Sequence, residues 1–106
     1  TTGIDIQFIT DKIKRIKSKF LSEAEQSKSG KSALELSYYW SCKEALFKVY
    51  GKKDGFLKQH FLIQSMHWDK DGGEAVGEIQ IGSHQSQHDL KMRRIGEYVM
   101  AYVLNS

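Results

Sequence analysis

Apolar residues recur at every second position near the start of the chain. Ile4, Ile6 and Phe8 alternate with Asp5, Gln7 and Ile9, which predicts a strand. Gly3, just ahead of it, allows another backbone or a ligand to come close. The period then lengthens: Ile13, Ile16 and Phe20 fall on one face of a helix starting at about Asp11. Thr10 is its candidate cap, and Asp11 suits the positive end of the helix. Ser22 and Glu25 have the spacing of a capping box opening a short helical turn. Gln26 to Ser32 (QSKSGKS) is polar and contains glycine, so it reads as a mobile loop. The longest helix is predicted from about Ser32 to Tyr50, ended by Gly51. Its stripe of Tyr39, Cys42, Leu46 and Val49 faces the core. At roughly 100° per residue, Trp40, Lys43, Glu44 and Phe47 fall on a different face. Large apolar groups on both faces predict a helix covered on two sides.

Beyond Asp54-Gly55 the pattern changes to strands. Phe61 to Trp68, Glu74 to Ile81, Gln87 to Ile95 and Glu97 to Leu104 are the candidates. Asp71-Gly72-Gly73 predicts a hairpin turn between the first two, and the later turns carry Gly82-Ser83 and Gly96. The order of strand, helices and then a meander of strands indicates an α+β fold. An antiparallel β-sheet packs on one long helix and one or two shorter ones. No repeat or linker divides residues 1–106, so one domain is expected.

Composition sharpens this only a little. At 106 residues with 40% hydrophobic and 11% aromatic content, the chain can bury a core and is not a disordered segment. The net charge of +3 favours acidic partners without pointing to nucleic acid. A single cysteine, Cys42, excludes an internal disulfide and fits a reducing, cytoplasmic setting. No segment is apolar enough to span a membrane, and no secretory signal is visible. The sequence begins Thr1-Thr2, which fits processing, trimming or a piece of a longer protein.

The candidate chemistry lies in WSCKEALFK, Trp40 to Lys48. It sets Lys43, Glu44 and Lys48 in an otherwise apolar and aromatic helical run. Charges in such surroundings are costly unless they meet a partner, a metal or a phosphate. Glu44 and Lys48 have the spacing of an exposed i,i+4 ion pair, worth a few tenths of a kcal/mol. Two features favour another reading. Trp40 and Phe47 flank Glu44, and Asp5 offers a second carboxylate on a separate element. Hard oxygen ligands from two elements suit Mg²⁺, which keeps several waters and completes its shell with substrate phosphates.

These residues resemble the 4′-phosphopantetheinyl transferases. The resemblance is carried by GIDI from Gly3, FLSEAE at Phe20 to Glu25, and WSCKEALFKVYGK from Trp40 to Lys52. The family signature is G-x-D followed by W/F-x-x-K-E-A/S-x-x-K and a glycine. The second motif is the specific one, since it fixes five or six positions. The resemblance implies transfer of the phosphopantetheine arm of coenzyme A to a serine of an acyl or peptidyl carrier protein, releasing 3′,5′-ADP. It implies Mg²⁺ held by Asp5 and Glu44, with Lys48 on the transferring phosphate. Lys43, and more weakly Lys52, are expected on coenzyme A phosphates. Glu44 is also a candidate base for the carrier serine, directly or through water. One departure is Gln7, where many relatives of the surfactin-synthetase-activating type have an acid. Another is length: the motif looks like the second half of the two-lobed enzymes, while the size is that of the single-lobed synthases. A homo-oligomer with sites between subunits is expected, a missing first lobe being the rival explanation.

The basic helix from Lys12 to Lys19 is either a solvated face or a steering surface for an acidic carrier. Lys14, Arg15 and Lys19 are its candidates. His60, His67, His84 and His88 form no metal pattern, and structural or surface roles are expected for them. Arg93 and Arg94 read as strand-surface charges, and Cys42 as core. Two other functions stand beside the enzyme. One is a non-catalytic lobe or coenzyme A-binding module of the same fold. The other is a small basic nucleic-acid binder, for which no aromatic base-stacking signature is present.

Overall fold

The computed structural model describes residues 3–30 and 32–104. Its elements run β1 (Ile4–Phe8), α1 (Lys12–Phe20), α2 (Glu23–Lys28), α3 (Ala33–Tyr50), α4 (Leu57–His60), β2 (Phe61–Asp69), β3 (Gly72–Ile81), β4 (His84–Ile95) and β5 (Tyr98–Val103). The strands form one antiparallel sheet in the order β1-β5-β4-β3-β2. The last four are the expected meander, and β1 adds to its β5 edge. The fold is α+β, with the long helix and the shorter ones on one face of the sheet.

Tight turns of two residues join the meander strands. In the first, Lys70 and Asp71 turn the chain while Asp69 Oδ1 accepts from the backbone N–H groups of Asp71 and Gly72. The glycines predicted as the turn itself belong to the start of β3. α3 begins on Ser32, whose side chain accepts from Glu35 N, and ends on Gly51 at φ 75, a conformation glycine adopts without strain. Between α2 and α3 the expected loop is shorter than Gln26 to Ser32, because Gln26 to Lys28 complete α2. Lys31 lies outside the described residues. Sequence periodicity gave no sign of α4, which is only four residues long.

The core lies between α3 and the inner face of the sheet. Leu36, Cys42 and Leu46 pack there with Phe61, Ile79, Leu90 and Val99, all at most 1% exposed. Gly77 makes this approach possible, since a Cβ there would stand 2.6 Å from Leu46 Cδ1. α3 is indeed apolar on two sides, but its second face is covered by this chain. Phe20 of α1 meets Trp40 edge-on at 4.8 Å, and Phe61 meets Phe47 at 5.4 Å.

An uncovered apolar surface exists on the other side of the sheet. In β1 it is the polar residues that turn inward: Asp5 is buried, whereas Ile4, Ile6 and Phe8 are 43%, 60% and 51% exposed. They pair across the strands with Tyr102, Met100 and Tyr98. Tyr98 in turn lies beside Ile95, and both are exposed. This outer patch sits on an edge strand, the usual position for association.

Candidate active site

The inverted orientation of β1 builds the site. Its inward residues, Asp5 and Gln7, face α3 at the turn that carries Glu44 and Lys48. Gly3 permits the contact: a Cβ there would drive into Val49 and stand 2.5 Å from the Ala45 carbonyl oxygen. The close approach expected at this glycine is thus to a helix backbone. Two side chains of α3 then hold the strand. Ser41 Oγ donates to the Asp5 carbonyl at 3.0 Å, and Lys48 Nζ donates to the Ile4 carbonyl at 2.9 Å.

Lys48 also lies 3.1 Å from Asp5 Oδ1, while Gln7 Nε2 donates to Asp5 Oδ2 at 2.8 Å. Both carboxylate oxygens of Asp5 are therefore engaged in a site that is 6% exposed. The i,i+4 pair between Glu44 and Lys48 is not formed, because Lys48 takes the buried acid across the gap. Glu44 is left half-buried, with no hydrogen-bond or ion-pair partner among the described residues. Its proton affinity is raised, first by burial and then by the charge of Asp5, with Lys48 acting in the opposite direction.

Such a pair fits a hard divalent cation. Glu44 has an unspent carboxylate one helical turn from Lys48, which pairs with Asp5, and both acids are hard oxygen ligands. Among the described residues no three side chains of His, Cys, Asp or Glu converge, so protein ligands alone would not complete a coordination shell. Mg²⁺ tolerates this, because it keeps waters and takes substrate oxygens.

The remaining candidates lie elsewhere. Lys43 is fully buried, and its Nζ bonds Glu25 Oε1 at 2.5 Å. Burial lowers its proton affinity, partly offset by the charge and hydrogen bond of Glu25. The expectation that Lys43 reaches a coenzyme A phosphate is corrected, since its charge is already spent inside the core. Lys52 is exposed beyond the end of α3, with Nζ 5.7 Å from the centre of the Tyr50 ring. Lys14, Arg15 and Lys19 are exposed on α1, Lys14 at 3.2 Å from Asp11. His84 and His88 flank Ser86 Oγ at 3.0 and 2.8 Å along β4.

Glu25 does more in the fold than its capping-box spacing indicates. The capping box is present, with Glu25 Oε1 accepting from Ser22 N and Ser22 Oγ accepting from Glu25 N. The same carboxylate accepts from Lys43, and Oε2 accepts from Ile63 N at 2.6 Å. One acid therefore ties α2, α3 and β2 together. The signal is Lys43 among Trp40, Cys42 and Leu46, where an ammonium requires an anion.

Asp5 of β1 and Lys48 of α3 thus meet at 3.1 Å, one helical turn from the unpartnered Glu44. The profile of the 4′-phosphopantetheinyl transferase superfamily matches residues 1–103, and the chain belongs to that family. Membership brings phosphopantetheinyl transfer in general, with coenzyme A as substrate and a carrier protein as partner. No curated relative matches the chain at a significant level. No helix among the described residues is long and apolar enough to cross a membrane.

Proposed function

We propose that the cluster of Asp5, Glu44 and Lys48 transfers the 4′-phosphopantetheine of coenzyme A to a serine of an acyl or peptidyl carrier protein in a Mg²⁺-dependent reaction. The serine oxygen forms a bond to the phosphorus next to the pantetheine arm. The bond from that phosphorus to the bridging oxygen breaks, and 3′,5′-ADP leaves. Asp5 and Glu44 would hold the metal, and Gln7 would orient Asp5 through its amide N–H. When bound, the ion would supply positive charge to the diphosphate oxygens. Lys48 is a compact ammonium at the same point and would meet charge on the transferring phosphate. Glu44, with its raised proton affinity, suits acceptance of the serine proton through water. The observation that carries this reading is the unpartnered Glu44 carboxylate one helical turn from Lys48, whose ammonium pairs with buried Asp5 at 3.1 Å.

Closure of the site by a second copy of the chain, or by a first lobe, belongs to the same proposal. The apolar outer patch around Ile6, Phe8 and Tyr98 lies on the opposite face of the sheet and supports a neighbour along the β1 edge. Cytoplasmic acyl or peptidyl carriers are the expected acceptors.

The test is intact-mass analysis of apo carrier proteins with coenzyme A and Mg²⁺, with sizing of the purified chain alongside. The wild type is expected to add one phosphopantetheine. Glu44→Gln and Asp5→Asn are expected to lose about 10²-fold or more in rate while keeping their fold. Normal modification by both variants would refute the proposed site. Coenzyme A binding without transfer to any carrier would instead favour the non-catalytic module.

A further inference from the structure

We infer that His84 and His88 of β4 form a second cation site, one for a divalent transition metal that prefers imidazole nitrogen, such as Zn²⁺. The site stands apart from Asp5, Glu44 and Lys48 and needs no transfer activity. The Nε2 atoms of the two rings approach one oxygen, Ser86 Oγ, at 3.0 and 2.8 Å. No more than the sum of these two distances separates them.

A strand does not bring such a pair together by default. Residues four apart on a strand have Cα atoms about 13 Å from each other. His84, Ser86 and His88 share the face of β4 that carries buried Leu90 and Met92, and both rings lean toward the middle residue. The backbone beneath them is fixed by pairing with β3, His84 with Ile81, Ser86 with Ile79 and His88 with Gly77. The ring of Tyr50, at the end of α3, meets the His84 ring edge-on at 5.4 Å.

The spacing suits a metal. Two ligands at about 2.0–2.1 Å from Zn²⁺ stand about 3.0–3.4 Å from each other, according to the coordination geometry. The separations between Ser86 Oγ and the two nitrogens are close to that edge, so only the gap between the nitrogens has to close. His84 is exposed and free to swing across it. Hydrogen bonding uses the two rings unequally. Ser86 has a single O–H and can donate to one of them, so the other must donate its own Nε2–H. Neither Nδ1 has a hydrogen-bond partner among the described residues. Both protons can therefore sit on Nδ1, leaving two Nε2 lone pairs for a metal. Neutral imidazoles suit Zn²⁺, Cu²⁺ and Ni²⁺, whereas Mg²⁺ prefers carboxylates and water. No third His, Cys, Asp or Glu joins them among the described residues, so the Ser86 hydroxyl and water would complete the shell.

The test is calorimetric titration of the untagged chain with Zn²⁺ in excess Mg²⁺, which competes for the carboxylates. One equivalent of Zn²⁺ is expected to bind, and His84→Asn and His88→Asn are each expected to weaken it about tenfold or more. Thermal midpoints in EDTA that match the wild type check that the fold is kept. Zn²⁺ should also raise the thermal midpoint of the wild type and leave that of His84→Asn, an exposed position, where it was. A wild type that binds no Zn²⁺ would overturn the inference. So would binding that neither variant weakens, or only one of them, because a chelate needs both rings.

Discussion

Replacing Lys43 with methionine separates a core role from a phosphate-binding role. Lys43 is 0% exposed and Glu25 is 2% exposed, so the variant leaves a buried carboxylate facing two backbone N–H groups and no cation. Removing one partner of such a pair costs about 3–5 kcal/mol, against a total stability of about 5–15 kcal/mol for a domain. At about 2.1 cal/mol/K per residue, a domain near this size loses about 4–5 °C of Tm per kcal/mol, so a drop of about 15–20 °C is expected. The double variant Glu25→Gln with Lys43→Met should recover part of the loss. The single amide oxygen can keep the bond from Ser22 N or the bond from Ile63 N but not both, and no charge remains buried. Thermal melts of the wild type, both single variants and the double variant measure the coupling. A Lys43→Met protein that melts within about 2 °C of wild type but binds coenzyme A far more weakly would refute the reasoning. It would return Lys43 to the phosphate.

The fold is also expected to weaken in alkali. Burial is the first cause of raised proton affinity in Cys42, Tyr38 and Tyr39, with Tyr39 pushed up to about 12. A group that holds its proton more tightly when folded gives full stability below its ordinary value, 9.0 for the thiol and 10.0 for the phenols, and loses it as pH rises. Lys43 acts the other way, because its affinity is lowered, but it stands alone against three. Urea midpoints should therefore fall from about pH 9 upward, and Tyr39→Phe should flatten the fall; a midpoint constant to pH 11 would contradict this. Gly3→Ala should push β1 away from α3 and cost about 1–3 kcal/mol, with transfer activity lost beyond what unfolding explains; a melt and a mass assay check both. Reversing Lys14, Arg15 and Lys19 to glutamate should reduce the carrier kcat/KM at low salt, with less effect at high salt and no change in the coenzyme A KM. An equal reduction at all salt concentrations would argue against steering.

Much of this fold was legible because its signals are local. The ends of α3 at Ser32 and Gly51, the Ser22 and Glu25 capping box and the strand periods all follow from residues a few positions apart. The partner of Lys43 was not legible. Sequence pattern says that a lysine among Trp40, Cys42 and Leu46 needs an anion, but not whether the chain or a ligand supplies it. Here the chain does, from 18 residues upstream, through an acid already accounted for as a cap. A cap uses only part of a carboxylate's capacity to accept, and Glu25 spends the rest on Lys43 and Ile63.

The orientation of β1 shows the same limit from the other side. Alternation predicts a strand and is silent about which face turns inward. The usual preference would bury Ile4, Ile6 and Phe8, yet the chain buries Asp5. That choice is sustained by particular donors: Lys48 and Gln7 on the two oxygens of Asp5, Ser41 on its carbonyl, and Gly3 giving room for the approach. Glu44 receives no such support. A fold selected for stability alone would pair it or replace it. On the proposed reading, the unpartnered carboxylate of Glu44 is what gives a divalent cation and a phosphate their purchase on an otherwise satisfied protein.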